Sequence, residues 1–282
     1  MGRLEGKVAL VTGAARGVGA AIATRFHHEG ARVVLTDVRD AQGEAVAAQL
    51  GEPARFLHLD VTQPADWDRA MAEIGAGEGH LNILVNNAAV LHMSLIDKTS
   101  ISTFKLMMDV NVMGVFLGTQ KALPLLRDSG DGSIINIGSI DGVTPAPATG
   151  AYAASKFAVR GLTRSTAIEN GKYGVRANCI CPATGNLDMI RDAIWSLPES
   201  EVAAIADEAC EADRSLPFPL RAGNPEDVAA TALYFASSDS AFCTGAELIL
   251  DGGLSAGMYM DIPNIFDTRS AISELDGAHA AR

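Results

Sequence analysis

Seven short apolar runs, VALVT, RVVLT, RFLHL, NILVN, SIINI, VRANCI and ELILD, recur along the 282-residue chain, and stretches of helical patterning lie between them. Each run has the length and β-branched content of a strand. Strands that alternate with helices build parallel sheets covered on both faces, which is why such runs are apolar throughout rather than at every second position. The pattern predicts an α/β fold with a largely parallel sheet of about seven strands and helices on both faces. No linker, repeat or low-complexity tract divides it, so a single domain is expected at a length that would also allow two.

The first run leads directly into GAARGVG, with Gly13, Gly17 and Gly19 followed by a helical pattern from Ala20 to Glu29. Glycines at a strand-to-helix turn permit a tight bend and close backbone approach, and the helix N-terminus offers unpaired N–H groups to a pyrophosphate. The second run ends in Asp37, about 20 residues after the glycines, where a carboxylate can accept from an adenosine ribose. Together these positions form a candidate dinucleotide site.

A second constellation lies in NIGSIDG and AYAASKFAVRG. Ser139, Tyr152 and Lys156 can place a hydroxyl, an ionisable phenol and a cation around one carbonyl or alcohol. Tyr152 and Lys156 are four apart on a helical pattern and share a face, where the ammonium is expected to lower the phenol's pKa from about 10.

With the T-G-x-x-x-G-x-G spacing, Asp37 and this trio in order, the chain resembles the classical short-chain dehydrogenase/reductase family from Lys7 to Gly253. Further marks are Asp60-Val61, Asn86-Asn87-Ala88-Ala89, Asn111 and Asp251-Gly252-Gly253. The resemblance implies a doubly wound Rossmann-type domain and an NAD(P)-dependent alcohol dehydrogenase or ketoreductase. It makes Tyr152 the general acid/base, Ser139 the group that orients the substrate oxygen, and Lys156 the cation that favours the tyrosinate and holds the nicotinamide ribose. Asn111 is implied to support a water that links Lys156 to solvent.

By the same resemblance, Gly13, Arg16, Gly17, Val18, Gly19, Asp37, Asp60, Val61, Asn87, Ala88 and Val110 hold the cofactor, with Tyr152, Lys156, Pro182 and Thr184 at its nicotinamide end. Asp37 repels a 2′-phosphate, so NAD is expected over NADP, although Arg16 and Arg39 carry the opposite charge. The chain departs from the family at Ala183, where relatives carry glycine. The body is particularly similar to bacterial hydroxysteroid and alicyclic-alcohol dehydrogenases.

Residues 186–221 are expected to cover the substrate. Met189, Ile190, Ile194 and Leu197 fit one helical face with Trp195 beside them, and with Leu91, Met93, Val143 and Pro145 they suggest an apolar pocket. No arginine cluster stands there to clamp a phosphate or carboxylate. A lipophilic secondary alcohol or ketone is therefore expected, with Val143, Ala183, Met189 and Trp195 as candidate contacts. Of the six histidines, His92 alone follows a strand tip where ligands bind, and it joins that set.

A net charge of −12 argues against nucleic acid and anionic membranes as partners. The sequence carries no basic and apolar N-terminal signal, and no apolar stretch approaches the length of a span, so a cytoplasmic location is expected. Cys179, Cys181, Cys210 and Cys243 are then reduced thiols. Cys179 and Cys181 alternate on one strand face with no further ligands nearby, so no metal is expected.

The domain is taken as residues 1–253, with 254–282 as a C-terminal extension that closes the site, joins a neighbour or is disordered. Small and apolar residues around Asn111 and Tyr152 exceed one core face, and the family resemblance implies a homotetramer. Two other classes compete. A silent dinucleotide-binding regulator is disfavoured by the intact trio, and a serine hydrolase fails because Ser139 does not sit in G-x-S-x-G.

Overall fold

The computed structural model describes residues 2–183, Met189 and residues 223–257. Thr184, Trp195, all of the 186–221 cover except Met189 and the extension beyond residue 257 lie outside the described residues.

All seven expected runs are strands of one parallel sheet: β1 (Val8–Thr12), β2 (Arg32–Asp37), β3 (Arg55–His58), β4 (Ile83–Asn86), β5 (Gly132–Ile137), β6 (Val175–Pro182) and β7 (Glu247–Leu250). Their order is β3-β2-β1-β4-β5-β6-β7. Period-two alternation divides the central strands between two cores. Ala9 and Val11 of β1 and Ile83 and Val85 of β4 face one layer with Ile22, Phe26 and Phe235. Val8, Leu10 and Leu84 face the other with Trp67, Ile74 and Leu126. Both faces of these central strands are dry, which accounts for their apolar runs, whereas the edge strands β3 and β7 are partly exposed.

The first layer is built by α1 (Gly17–His28) and α7 (Pro225–Ala236), whose start is fixed by a capping box between Asn224 and Asp227. The second contains α3 (Pro64–Gly77), α5 (Gly114–Asp128) and α6 (Gly150–Asn170). Two further helices are α2 (Asp40–Leu50) and α4 (Ile101–Met108). Trp67 anchors the second core, with its ring buried and Nε1 donating to the Val61 carbonyl at 3.0 Å. Truncating such a residue costs about 3–5 kcal/mol.

Two local expectations change. Helix α1 begins at Gly17 rather than Ala20, because Gly17, Val18 and Gly19 already form its first turn. Helices α4 and α5 join through a π-helical turn at Asp109–Met113, and the helical run Ile101–Asp128 is long and apolar enough to cross a bilayer by length and composition alone. Here Met107, Asn111, Val115, Leu117, Ala122 and Leu126 bury one side of that run in the domain.

The chain leaves β1 toward β2 on one side and crosses to β4 on the other. Such a reversal opens a crevice at the strand C-terminal ends. Gly13 and Asn87 stand at its two lips.

Candidate active site

A cavity of about 600 Å³ fills this crevice, within the ordinary range for a small-molecule site. Gly13, Arg16, Val18, Gly19, Asp37, Asp60, Val61, Asn87, Ala88 and Val110 all line it, as the sequence predicts. Gly17 does not, although its φ of +56° helps turn the loop.

Close approach explains the glycines. A Cβ on Gly13 would stand 2.8 Å from the Ala88 Cα, and one on Gly19 would stand 2.1 Å from the Gly13 carbonyl oxygen. The loop is tied to β4 through Thr12, whose Oγ1 accepts from the backbone N–H groups of Asn87 and Ala88, both at 3.0 Å. Asn87 Nδ2 answers by donating to the carbonyls of Thr12 (2.8 Å) and Gly13 (3.1 Å). Arg16 makes no side-chain cap and no acidic residue enters the first turn of α1. That helix end suits an anion.

Asp37 lines the cavity beyond the glycine turn. Its Oδ2 accepts from the Ala15 N–H and its Oδ1 from the Arg39 N–H, both at 3.1 Å, so the carboxylate is aimed by backbone and lies in the cavity wall. Asp60 is held in turn by its own strand exit, with Oδ1 accepting from the Thr62 N–H at 2.9 Å and the Thr62 hydroxyl at 2.8 Å. A glycine cradle that a Cβ would fill, an open helix N-terminus and a carboxylate in the cavity wall together fit a dinucleotide.

Ser139, Tyr152 and Lys156 converge beside this cavity but do not line it. They are 7%, 6% and 3% exposed. Val90 and Leu91 line the cavity and also pack against the buried cluster of Met107, Ala151 and Tyr152. Ser139 leaves β5 in extended backbone and caps the turn Ile140–Gly142, with its Oγ accepting from the Asp141 N–H at 3.1 Å. The same hydroxyl stands beside the Tyr152 phenol. Lys156 Nζ donates to the Ile137 carbonyl at 2.9 Å and lies 5.5 Å from the Tyr152 ring centroid.

Burial dominates the electrostatics. Desolvation pushes the Tyr152 phenol above its usual range, the neighbouring Ser139 hydroxyl opposes that, and the Asp141 and Cys181 charges add to it. Desolvation also lowers Lys156 to about 8, against the nearby Cys179 and Cys181. The lowered phenol expected from Lys156 at four-residue spacing is thus reversed, since removing a phenolate from water outweighs an ammonium on the next turn. The neutral phenol is the form held at neutral pH.

Asn111 is 1% exposed within the π-helical turn. Its Oδ1 accepts from the Val90 N–H at 2.8 Å, and its Nδ2 donates to the Val90 carbonyl at 2.9 Å and the Ser155 hydroxyl at 3.0 Å. The amide therefore joins the wall over Tyr152 to α6. A π-helical turn shifts the backbone bonding register by one residue and recurs at functional sites.

Among the substrate candidates, His92 and Met189 line the cavity. Val143 instead packs on the cluster of Val115, Val159, Cys179 and Cys181. Ala183 continues the sheet, donating its N–H to the Leu250 carbonyl at 2.9 Å after Pro182 ends β6. Thr184 and Trp195 fall outside the described residues. Cys179 and Cys181 do share a face, with sulfurs 3.8 Å apart and fully buried. No group of metal-ligating side chains occurs among the described residues.

Sequence reasoning missed Thr103, Leu106 and Met107, which line the cavity from α4. It also missed Asp141. Its Oδ1 accepts from the Ala146 N–H and the Thr149 hydroxyl, both at 2.9 Å, and sets the loop that enters α6. Its place two residues after Ser139 was the available signal.

Residues 13–255 match the family described as Enoyl-(Acyl carrier protein) reductase. The chain is 42% identical over 257 residues to the 3-alpha-(or 20-beta)-hydroxysteroid dehydrogenase of Mycobacterium tuberculosis, covering 91% of this chain and 92% of that protein. It is 37% identical over 260 residues to the 2,5-dichloro-2,5-cyclohexadiene-1,4-diol dehydrogenase of Sphingobium indicum, covering 91% and 99%. With the cyclopentanol dehydrogenase of Comamonas sp. it shares 36% identity over 263 residues, covering 91% and 100%.

Proposed function

The chain belongs to the short-chain dehydrogenase/reductase family of NAD(P)-dependent oxidoreductases, and from that premise we propose that it interconverts a lipophilic alicyclic secondary alcohol and its ketone with NAD. The observation that carries this reading is the meeting of Ser139, Tyr152 and Lys156 beside the cavity that the glycine turn and Asp37 line.

A bound nicotinamide dinucleotide supplies the hydride acceptor or donor. The chain's own residues hold and move the proton. In alcohol oxidation the Tyr152 phenol first loses its own proton to solvent and its oxygen then takes the hydroxyl proton, and in ketone reduction the neutral phenol gives its proton to the carbonyl oxygen. Ser139 donates to the same substrate oxygen and fixes its distance from the phenol. Lys156, held by the Ile137 carbonyl, offsets negative charge on the phenol oxygen and stands ready to bind the nicotinamide ribose. Asn111 fastens Val90 across Tyr152 and, through the π-helical turn, supports the water that links Lys156 to solvent.

Gly13, Arg16, Val18, Gly19, Asp60, Val61, Asn87, Ala88 and Val110 bind the dinucleotide. Asp37 accepts from its adenosine ribose and repels a 2′-phosphate, which favours NAD over NADP. Val90, Leu91, Leu106, Met107 and Met189 give the remaining wall an apolar character that suits a ring substrate, in keeping with the alicyclic and steroid compounds named for the relatives. His92 and Thr103 are polar groups on that wall.

Exposed Met113, Phe116, Phe157 and Ile168 on the outer sides of the helices carrying Asn111 and Tyr152 support pairing of those helices between copies in a homotetramer. The cytoplasm is the compartment that keeps the Cys179 and Cys181 thiols reduced.

Absorbance of the reduced cofactor, followed with NAD and NADP against cyclic secondary alcohols and their ketones, tests the proposal. Turnover of alicyclic compounds with NAD preferred is expected. A protein that binds NAD yet turns over no cyclic alcohol or ketone would overturn it.

A further inference from the structure

Tyr152, Lys156 and Arg160 stand at successive four-residue steps on α6 and form one stripe along it. Arg160 lies outside the proton-transfer site but reaches its support. Its Nη1 donates to the Gly142 carbonyl. Its Nε (3.0 Å) and Nη2 (2.7 Å) both donate to Glu247 Oε2 on β7. Arg164 stands 3.0 Å from the other Glu247 oxygen. The Arg160 and Glu247 side chains are 21% and 12% exposed, so the pair is largely withdrawn from solvent.

Two clamps from one helix thus bracket Ser139. Lys156 holds the carbonyl of Ile137 before it and Arg160 the carbonyl of Gly142 after it. Between them the chain is pressed onto α6, since a Cβ on Gly142 would meet the Lys156 backbone carbonyl group and Cβ at 3.1 Å. A planar guanidinium presents a fixed fork of N–H donors that bonds a backbone carbonyl and a carboxylate on a separate element at once.

We propose that Arg160 is a positioning residue, whose guanidinium fastens the Ile140–Gly142 turn to Glu247 of β7 and thereby sets where Ser139 stands relative to the Tyr152 phenol. The consequence for turnover rests on the dehydrogenase reading above. The consequence for the turn does not.

Hydrogen exchange and kinetics of Arg160→Met test both. The Gly142, Val143 and Thr144 amides, which donate to the carbonyls of Ser139 and Ile140, should exchange at least ~10-fold faster while peptides of β1 and β2 are unchanged. In the same variant kcat should fall ~10- to 100-fold, NAD affinity and subunit number should stay within about twofold of wild type, and the primary deuterium effect on kcat should rise. Should Arg160→Met fail to fold, Arg160→Lys serves, because an ammonium meets only one of the two partners and leaves the turn partly loosened. Unchanged exchange at the turn overturns the inference whatever the activity. Exchange that quickens across the whole domain overturns it too, as a general loss of stability. A wild-type protein without turnover would refute the dehydrogenase reading alone, and the exchange result would still decide the role of Arg160.

Discussion

Lys156 places its ammonium 5.5 Å from the centroid of the Tyr152 ring, with both side chains almost wholly buried. An ion in that position is costly unless its charge is needed. Burial lowers Lys156 to about 8 from an ordinary value of 10.5, so between these values the unfolded chain binds more protons than the folded one. Stability must then rise with pH across that window, the opposite of a lysine stabilised by an ion pair.

Lys156→Met removes this dependence. At about pH 7 the variant is expected to carry its greatest stability advantage from relief of desolvation, and by about pH 9.5 the wild type should have recovered on the order of 2 kcal/mol of the difference. Urea unfolding of both proteins at the two pH values measures it. Turnover of the variant should be lost throughout.

Asp141 faces the same phenol. After burial, its charge is the next influence that raises the Tyr152 pKa. Asp141→Asn keeps an oxygen for the Ala146 N–H and the Thr149 hydroxyl while removing the charge. Alcohol oxidation needs the deprotonated phenol, so its rising limb with pH should move to lower pH, by up to about one unit. The pH profile of kcat/KM for oxidation is the measurement.

Asp37 has two duties, orienting the loop through the Ala15 N–H and repelling a 2′-phosphate. Asp37→Ala should raise the ratio of kcat/KM with NADP to that with NAD by at least ~10-fold, with part of the change coming from weaker NAD binding. Side-by-side kinetics with the two cofactors read it directly.

Gly19→Ala places a methyl 2.1 Å from the Gly13 carbonyl oxygen and 2.6 Å from Asn87 Nδ2. Backbone cannot yield as a flexible side chain would. NAD affinity, followed by titration of protein fluorescence, should weaken by at least ~10-fold while the fold persists.

Strands were legible because parallel strands buried on both faces must be apolar throughout, a condition that the central runs meet and the partly exposed edge runs of β3 and β7 meet only in part. The glycine loop and Asp37 were equally legible, as backbone geometry and charge there admit few residue types. Tyr152 and Lys156 were found by spacing, yet spacing carries only their mutual attraction and not the desolvation that decides the phenol's pKa. The π-helical turn around Asn111 was hidden for a similar reason, since it depends on the bonds Asn111 makes to Val90 and Ser155, distant in sequence. Val143 looked like a pocket residue by composition, and the direction of the chain after Ser139 turned it toward the buried cysteines instead.

Tyr152→Phe tests the central claim, proton transfer by Tyr152 coupled to hydride transfer, most directly. A cyclic secondary alcohol deuterated at its carbinol carbon is offered with NAD to the wild type and the variant, and deuterium in the reduced nicotinamide is measured. The wild type should deliver the label directly, and the variant should bind NAD normally but transfer label at least ~100-fold more slowly. Label transfer by Tyr152→Phe within a few-fold of wild type would contradict the account.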